Sequence, residues 1–170
     1  MKKTLLPLML VGALASNIFA DEGKVGGIQL GADSSSAQNN TKDYSGAYIG
    51  LDGFLQIQDY LFLGIGLDSV FLGSTTYQYK TSYSYIMGTQ LKLAYSLEKL
   101  LNWKANIKAG LGYGVTRFND TNGWGIQYEV GVETQIYKSF GIGYKYKVSD
   151  TDFAYLGDMK SHIGYVKLAF

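Results

Sequence analysis

The chain of 170 residues contains no cysteine, which excludes a disulfide framework and any thiolate metal site. Lack of thiols is compatible with export to an oxidising compartment such as the periplasm. Proline occurs once, as Pro7 near the N-terminus, so the rest of the chain can contribute every backbone N–H to a strand ladder. Arginine also occurs once, as Arg117, among scattered lysines, and the net charge is +1. That distribution offers no basic patch for nucleic acid. His162 is the single histidine, and with no His/carboxylate cluster around it neither a metal centre nor another cofactor site is expected. The apolar stretch Leu5 to Leu14 falls well short of the roughly 20 residues of a spanning helix.

That stretch follows Lys2 and Lys3 and leads to Ile18-Phe19-Ala20 before the acidic Asp21-Glu22, the layout of a secretory signal peptide. Residues 1–20 are therefore expected to be removed after Ala20. The Ala13-Leu14-Ala15 triplet offers a second cleavage site, which would leave Ile18-Phe19 at the mature N-terminus. Residues 21–170 remain as one domain, with a net charge of −1 once Lys2 and Lys3 are gone.

What the chain does have is glycine (22) and tyrosine (15), arranged with a period of two. Trp124, Ile126, Tyr128, Val130, Val132, Thr134 and Ile136 alternate with Gly125, Gln127, Glu129, Gly131, Glu133 and Gln135. The stretch from Trp103 to Val115 alternates in the same way, and the polar segment Arg117 to Gly123 between them reads as a hairpin turn. No window carries convincing 3.6-residue periodicity. The last segment, His162 to Phe170, again places apolar residues at every second position and ends on an aromatic. One face lipid-directed and the other polar is the pattern of a transmembrane barrel strand.

Reading outward from the hairpin gives eight strands near 23–32, 45–57, 60–72, 81–97, 103–117, 123–136, 139–149 and 160–170. Each meets the roughly 9–11 residues that a tilted strand needs to cross a bilayer. The connections near 33–44, 73–80, 117–122 and 150–159 are polar, and those near 58–59, 98–102 and 137–138 are mostly shorter. With the C-terminus at the periplasmic rim, the polar set lies outside the cell. The expected fold is an all-β, eight-stranded antiparallel up-and-down transmembrane barrel.

Counting by twos assigns the faces. Asp52, Asp68, Gln90, Lys92, Lys104, Lys108, Glu129, Glu133, Lys145, Lys147 and Lys167 point inward, with Glu129 near Lys145 or Lys147 and Glu133 diagonal to Lys104 or Lys108. Eight strands enclose a space that side chains can fill, so these residues are expected to form a polar plug rather than line a pore. Inward glycines, Gly110, Gly112 and Gly114 among them, leave room for the long side chains. Aromatics collect at the interfaces, with Tyr95, Trp103, Tyr137 and Phe140 toward the periplasm and Tyr83, Tyr85, Trp124 and Tyr146 toward the outside. His162 faces lipid near the outer leaflet, but a serine hydrolase needs a nucleophile beside its base. The position two residues on is Gly164, and Ser161 points the other way, so no catalytic residue is assigned.

Alternation, strand count, loop asymmetry and the strand from Gly164 to Phe170 together resemble the small eight-stranded outer-membrane barrels of the OmpA and OmpX type. The resemblance spans residues 23–170 and includes no counterpart of the OmpA peptidoglycan-binding domain. It implies outer-membrane lipids as surroundings, and recognition of Gly164, Val166, Leu168 and Phe170 by the barrel-assembly machinery. It implies a scaffold or surface-contact role acting through the outer loops, with a narrow pore and a lipid-modifying enzyme as the alternatives.

Overall fold

The computed structural model describes residues 24–77, 80–118, 121–137, 139–152 and 157–170. The expected signal peptide lies outside them. Eight strands, β1 (Lys24–Ala37), β2 (Asn40–Gln58), β3 (Leu61–Tyr77), β4 (Lys80–Ser96), β5 (Ala105–Phe118), β6 (Thr121–Tyr137), β7 (Phe140–Ser149) and β8 (Met159–Ala169), pair in chain order. The sheet closes when β8 pairs with β1, and every neighbouring pair is antiparallel. Closure removes the free edge that hydrocarbon cannot tolerate.

The register fixes the barrel's shape. One pairing row followed once around the barrel, from Gly27 through Asp52, Gly66, Gln90, Gly112, Gln127, Ser149 and Met159, returns to β1 at Ala37, ten residues farther along the strand than where it began. Such a stagger accompanies a strand tilt of about 35–45°. Even β7, with 10 residues, is long enough to cross a bilayer.

Both ends of the closing pair lie at one rim, where Gly27 is opposite Ala169 and the Phe170 N–H donates to Gly26 O at 3.2 Å. This terminal rim also holds the tight Asp59-Tyr60 turn, with Tyr60 at φ 66°, and a short helix α1 (Glu98–Leu101) between β4 and β5. The opposite, hairpin rim differs from expectation. The segment 33–44, read as a polar loop, is mostly strand: β1 runs to Ala37 and β2 resumes at Asn40. β3 and β4 likewise extend to Tyr77 and from Lys80. Side-chain polarity does not stop a ladder made of backbone hydrogen bonds. Here Ser35 donates to Asp33 at 2.5 Å and meets Ser161 at 2.6 Å, so the inward member of the serine run has partners inside the barrel. β7 ends at Ser149 and β8 begins at Met159.

The outward face is apolar around the whole wall. Leu30, Ile49, Ile65, Leu91, Leu111, Val130, Ile142 and Val166, taken from the eight strands in turn, are all exposed. A belt of this extent is foreign to a soluble monomer and is what acyl chains require of a barrel. Aromatic side chains flank it. Tyr95, Trp103 and Tyr137 are exposed at the terminal side, with Phe140 half-buried, and Tyr83 and Trp124 are exposed at the hairpin side, with Tyr85 half-buried.

Candidate functional site

The inward residues of eight strands converge on a narrow axis, and the residues that meet there are ionic. Near the terminal rim, Asp52 (β2), Lys108 (β5), Glu133 (β6) and Lys167 (β8) form a square. Lys108 lies 3.0 Å from Asp52 and 2.7 Å from Glu133, and Lys167 lies 3.1 Å from Asp52 and 3.2 Å from Glu133. Each ammonium touches both carboxylates. Farther along the axis runs a chain of ions: Lys92 to Glu129 at 2.7 Å, Glu129 to Lys145 at 2.8 Å, Lys145 to Asp68 at 3.1 Å and Asp68 to Lys147 at 2.6 Å. All nine side chains are at most 8% exposed.

Neutral donors and acceptors complete these groups. Gln29 donates to Asp52 at 2.6 Å and accepts from the Tyr48 hydroxyl at 2.6 Å, while Lys145 donates to that same hydroxyl at 2.7 Å. The Tyr165 hydroxyl donates to Glu133 at 3.1 Å. The Gln90 amide lies 3.1 Å from both Glu129 oxygens, where its NH2 group can donate to either. Burying an ion is costly unless its hydrogen-bonding capacity is met, and these partners offset part of that cost.

Two apolar zones bracket the ions. Toward the hairpin rim, Tyr48, Val70, Leu72, Ile86, Met159, Ile163 and Tyr165 pack with Ala37 as one buried cluster. Tyr44 and Phe118 lie against it, their rings edge to face at 5.3 Å. At the terminal mouth, Phe54, Phe62 and Ala94 form the walls of a small recess, and Asn106, Lys108, Glu133 and Lys167 complete its lining. Lys108 Nζ sits 5.0 Å from the Phe54 ring centroid, within cation–π range.

Of the residues assigned inward from sequence, Asp52, Asp68, Gln90, Lys92, Lys108, Glu129, Glu133, Lys145, Lys147 and Lys167 are all buried inside the barrel. Lys104 is not. β5 begins at Ala105, so Lys104 precedes the strand whose alternation assigned it a face, and it is exposed. Its carbonyl accepts from the Thr134 hydroxyl and the Gln135 N–H, and of the two lysines expected near Glu133 it is Lys108 that bonds it, together with Lys167. Gln29, Tyr48 and Tyr165 escaped the sequence reading, though their place on the inward count of β1, β2 and β8 is a signal for them. Ile163 and Met159 escaped because the inward face was read for polar groups, and these two inward residues are apolar.

Glycine is required where long side chains cross. A Cβ on Gly143 would run into the Tyr165 ring, and one on Gly66 into the Lys92 chain. Gly143→Val should therefore push Tyr165 away from Glu133 and cost about 1–3 kcal/mol as overpacking. Denaturant titration in micelles measures this, and stability at the wild-type level would show that the ring has room to move.

Among the described residues no group of three or more His, Cys, Asp or Glu side chains could hold a metal ion. His162 faces outward, and its Nδ1 lies 2.6 Å from the Tyr144 hydroxyl.

Closed topology, outward belt and inward ions define a small transmembrane β-barrel of the outer-membrane type. Similar solved structures are the attachment invasion locus protein Ail of Yersinia pestis, in complex with the heparin analogue sucrose octasulfate (11% identity, 86% of this chain and 99% of that one, TM-score 0.58), and Neisserial surface protein A (9% identity, 88% and 98%, TM-score 0.58). Ail in a phospholipid bilayer nanodisc matches as well (11% identity, 88% and 100%, TM-score 0.56). At these identities the likeness is one of fold. No protein-family model matches the chain, and no curated protein is detectably similar in sequence.

Proposed function

We propose that the chain is an integral protein of the Gram-negative outer membrane, exported with removal of its leader, whose interior is closed and which acts without catalysis, as a scaffold and surface-contact protein through its hairpin rim. The observation that carries this reading is the stacking along the axis: an apolar cluster, the ion chain and the ion square follow one another, and all nine ionic side chains are at most 8% exposed. Eight strands enclose about the space that side chains fill. The arrangement argues against a narrow pore, and the bonding of His162 to Tyr144, with no serine in hydrogen-bond contact, argues against a lipid-modifying enzyme. Planar-bilayer recordings test it: the reading expects no steady current, and a reproducible unitary conductance would replace it with the pore. A lipid A mass spectrum unchanged by expression of the chain is expected for a non-enzyme.

Assembly provides a second test. The outward residues Gly164, Val166, Leu168 and Phe170 form the row proposed for recognition by the assembly machinery. Phe170→Ser should reduce the amount reaching the outer membrane more than it reduces stability, because Phe170 is 58% exposed and contributes little interior packing. Fractionation of cells set against refolding in detergent separates the two. Normal outer-membrane levels of the variant would remove the assembly role.

A further inference from the structure

Strands β8 and β1 present matched outward rows that change character along their length. From the terminal rim, Leu168 lies opposite Ile28, Val166 opposite Leu30, Gly164 opposite Ala32, His162 opposite Ser34 and Lys160 opposite Ser36. The rows pass from apolar through small to polar, each about 6.6–6.8 Å beyond the last. A Cβ at Gly164 would meet no atom within 4 Å, so the Gly164 row is an open notch. Tyr144, opposite Gly164 on β7, walls one side of it.

Above the notch the His162 imidazole is held in place. Its Nδ1 bonds the Tyr144 hydroxyl at 2.6 Å, and the Tyr146 ring lies 5.1 Å away, centroid to centroid. With the tyrosine O–H donating to Nδ1, the neutral ring carries its proton on Nε2, a donor left for something outside the protein. Lys160, one row nearer the rim, is exposed on the same face. Three carboxylates lie nearby: Asp158, two residues before Lys160, Asp43 opposite Ser36 on β2, and Asp33, which faces inward behind this wall.

We propose that this face binds one phosphorylated lipid, its phosphate accepting from His162 Nε2 and the Lys160 ammonium, and an acyl chain lying in the Gly164–Ala32 notch and down the Val166–Leu30 and Leu168–Ile28 rows. The site rests on the membrane placement proposed above and adds to it a preference for a headgroup. The polar rows supply charged and neutral donors that an anionic phosphate accepts more strongly than the ester and hydroxyl oxygens of a neutral lipid, and the notch supplies the chain contact that a free phosphate lacks.

The experiment uses the refolded protein with ¹⁵N-labelled histidine in phosphate-free maltoside micelles. Three probes are titrated: phosphatidic acid, diacylglycerol with the same chains, and inorganic phosphate. Phosphatidic acid should shift the Nε2 resonance saturably at about one lipid per protein, diacylglycerol should leave it unmoved, and inorganic phosphate should need at least about tenfold higher concentration. By native mass spectrometry, the double variant Lys160→Ala/His162→Ala and the notch-filling Gly164→Leu should each retain phosphatidic acid at least about tenfold less well. Equal shifts with diacylglycerol, inorganic phosphate acting as strongly as the lipid, or wild-type lipid retention by both variants would each overturn the site. Failure of the membrane reading is visible separately, as a chain that does not enter vesicles at all.

Discussion

Glu129→Gln combined with Glu133→Gln should destabilise the barrel by at least about 3 kcal/mol, the scale of breaking a buried ion pair. Glu129 is the carboxylate 2.7 Å from Lys92, and Glu133 is one of the two shared by Lys108 and Lys167. In the double variant, Asp52 and Asp68 are left to face Lys92, Lys108, Lys145, Lys147 and Lys167 across a narrow interior. An exposed pair would be worth only about 0–1 kcal/mol, so the size of the loss itself reports whether the space is dry. Chemical denaturation followed by the gel-mobility difference between folded and heated protein gives the number. A compensating change sharpens the test: Glu133→Gln with Lys167→Gln removes one ion of each sign from the square and should recover part of the loss. A double Glu variant as stable as the wild type would mean that water reaches these lysines and that the interior is open.

The same residues show how far the chain could be read before the structure. Ten of the eleven assigned ionic and amide groups are buried in the structure, and a lysine or glutamate between two apolar neighbours in a strand leaves one choice of face. Alternation failed at Lys104, where β5 had not yet begun, and parity has no meaning outside a strand. Strand limits at the hairpin rim were also read short, since Ser34-Ser35-Ser36 looks like a loop and its ladder bonds belong to the backbone. Pairings across the axis were the least legible. Glu129 bonds Lys145, one of the two lysines expected near it, but Lys147, directly opposite Glu129 in register, reaches Asp68 on β3, and the bond from Glu129 to Lys92 was not anticipated. Neighbouring strands are fixed by local hairpins, but contacts across a barrel depend on its stagger, and no short-range pattern encodes that. The apolar cluster beneath the hairpin rim was hidden for a different reason: Ile86, Met159, Ile163 and Tyr165 are inward residues of low polarity on a face that was read for its ions.

Val130→Arg should destabilise the protein by about 2–4 kcal/mol in a bilayer, the depth-dependent cost of arginine near the midplane of a barrel's lipid face. Val130 is 52% exposed and lies between Ala109 on β5 and Tyr146 on β7, outward residues with no carboxylate to pair with a new cation. Two controls separate membrane depth from packing. Tyr83→Arg, at the aromatic rim, should cost about 0–1 kcal/mol, because the guanidinium reaches water there. Gly131→Ala changes the next residue along the same strand but the opposite face, where the new Cβ lies 2.7 Å from both the Lys145 Cβ and the Tyr144 carbonyl oxygen. Its cost arises inside the barrel and should not change with acyl-chain length, whereas that of Val130→Arg should grow as the bilayer thickens and the route to the interface lengthens. Folding titrations into vesicles of short-chain and long-chain lipid measure all three. A Val130→Arg variant with unchanged stability in both vesicles would show that this face does not meet hydrocarbon.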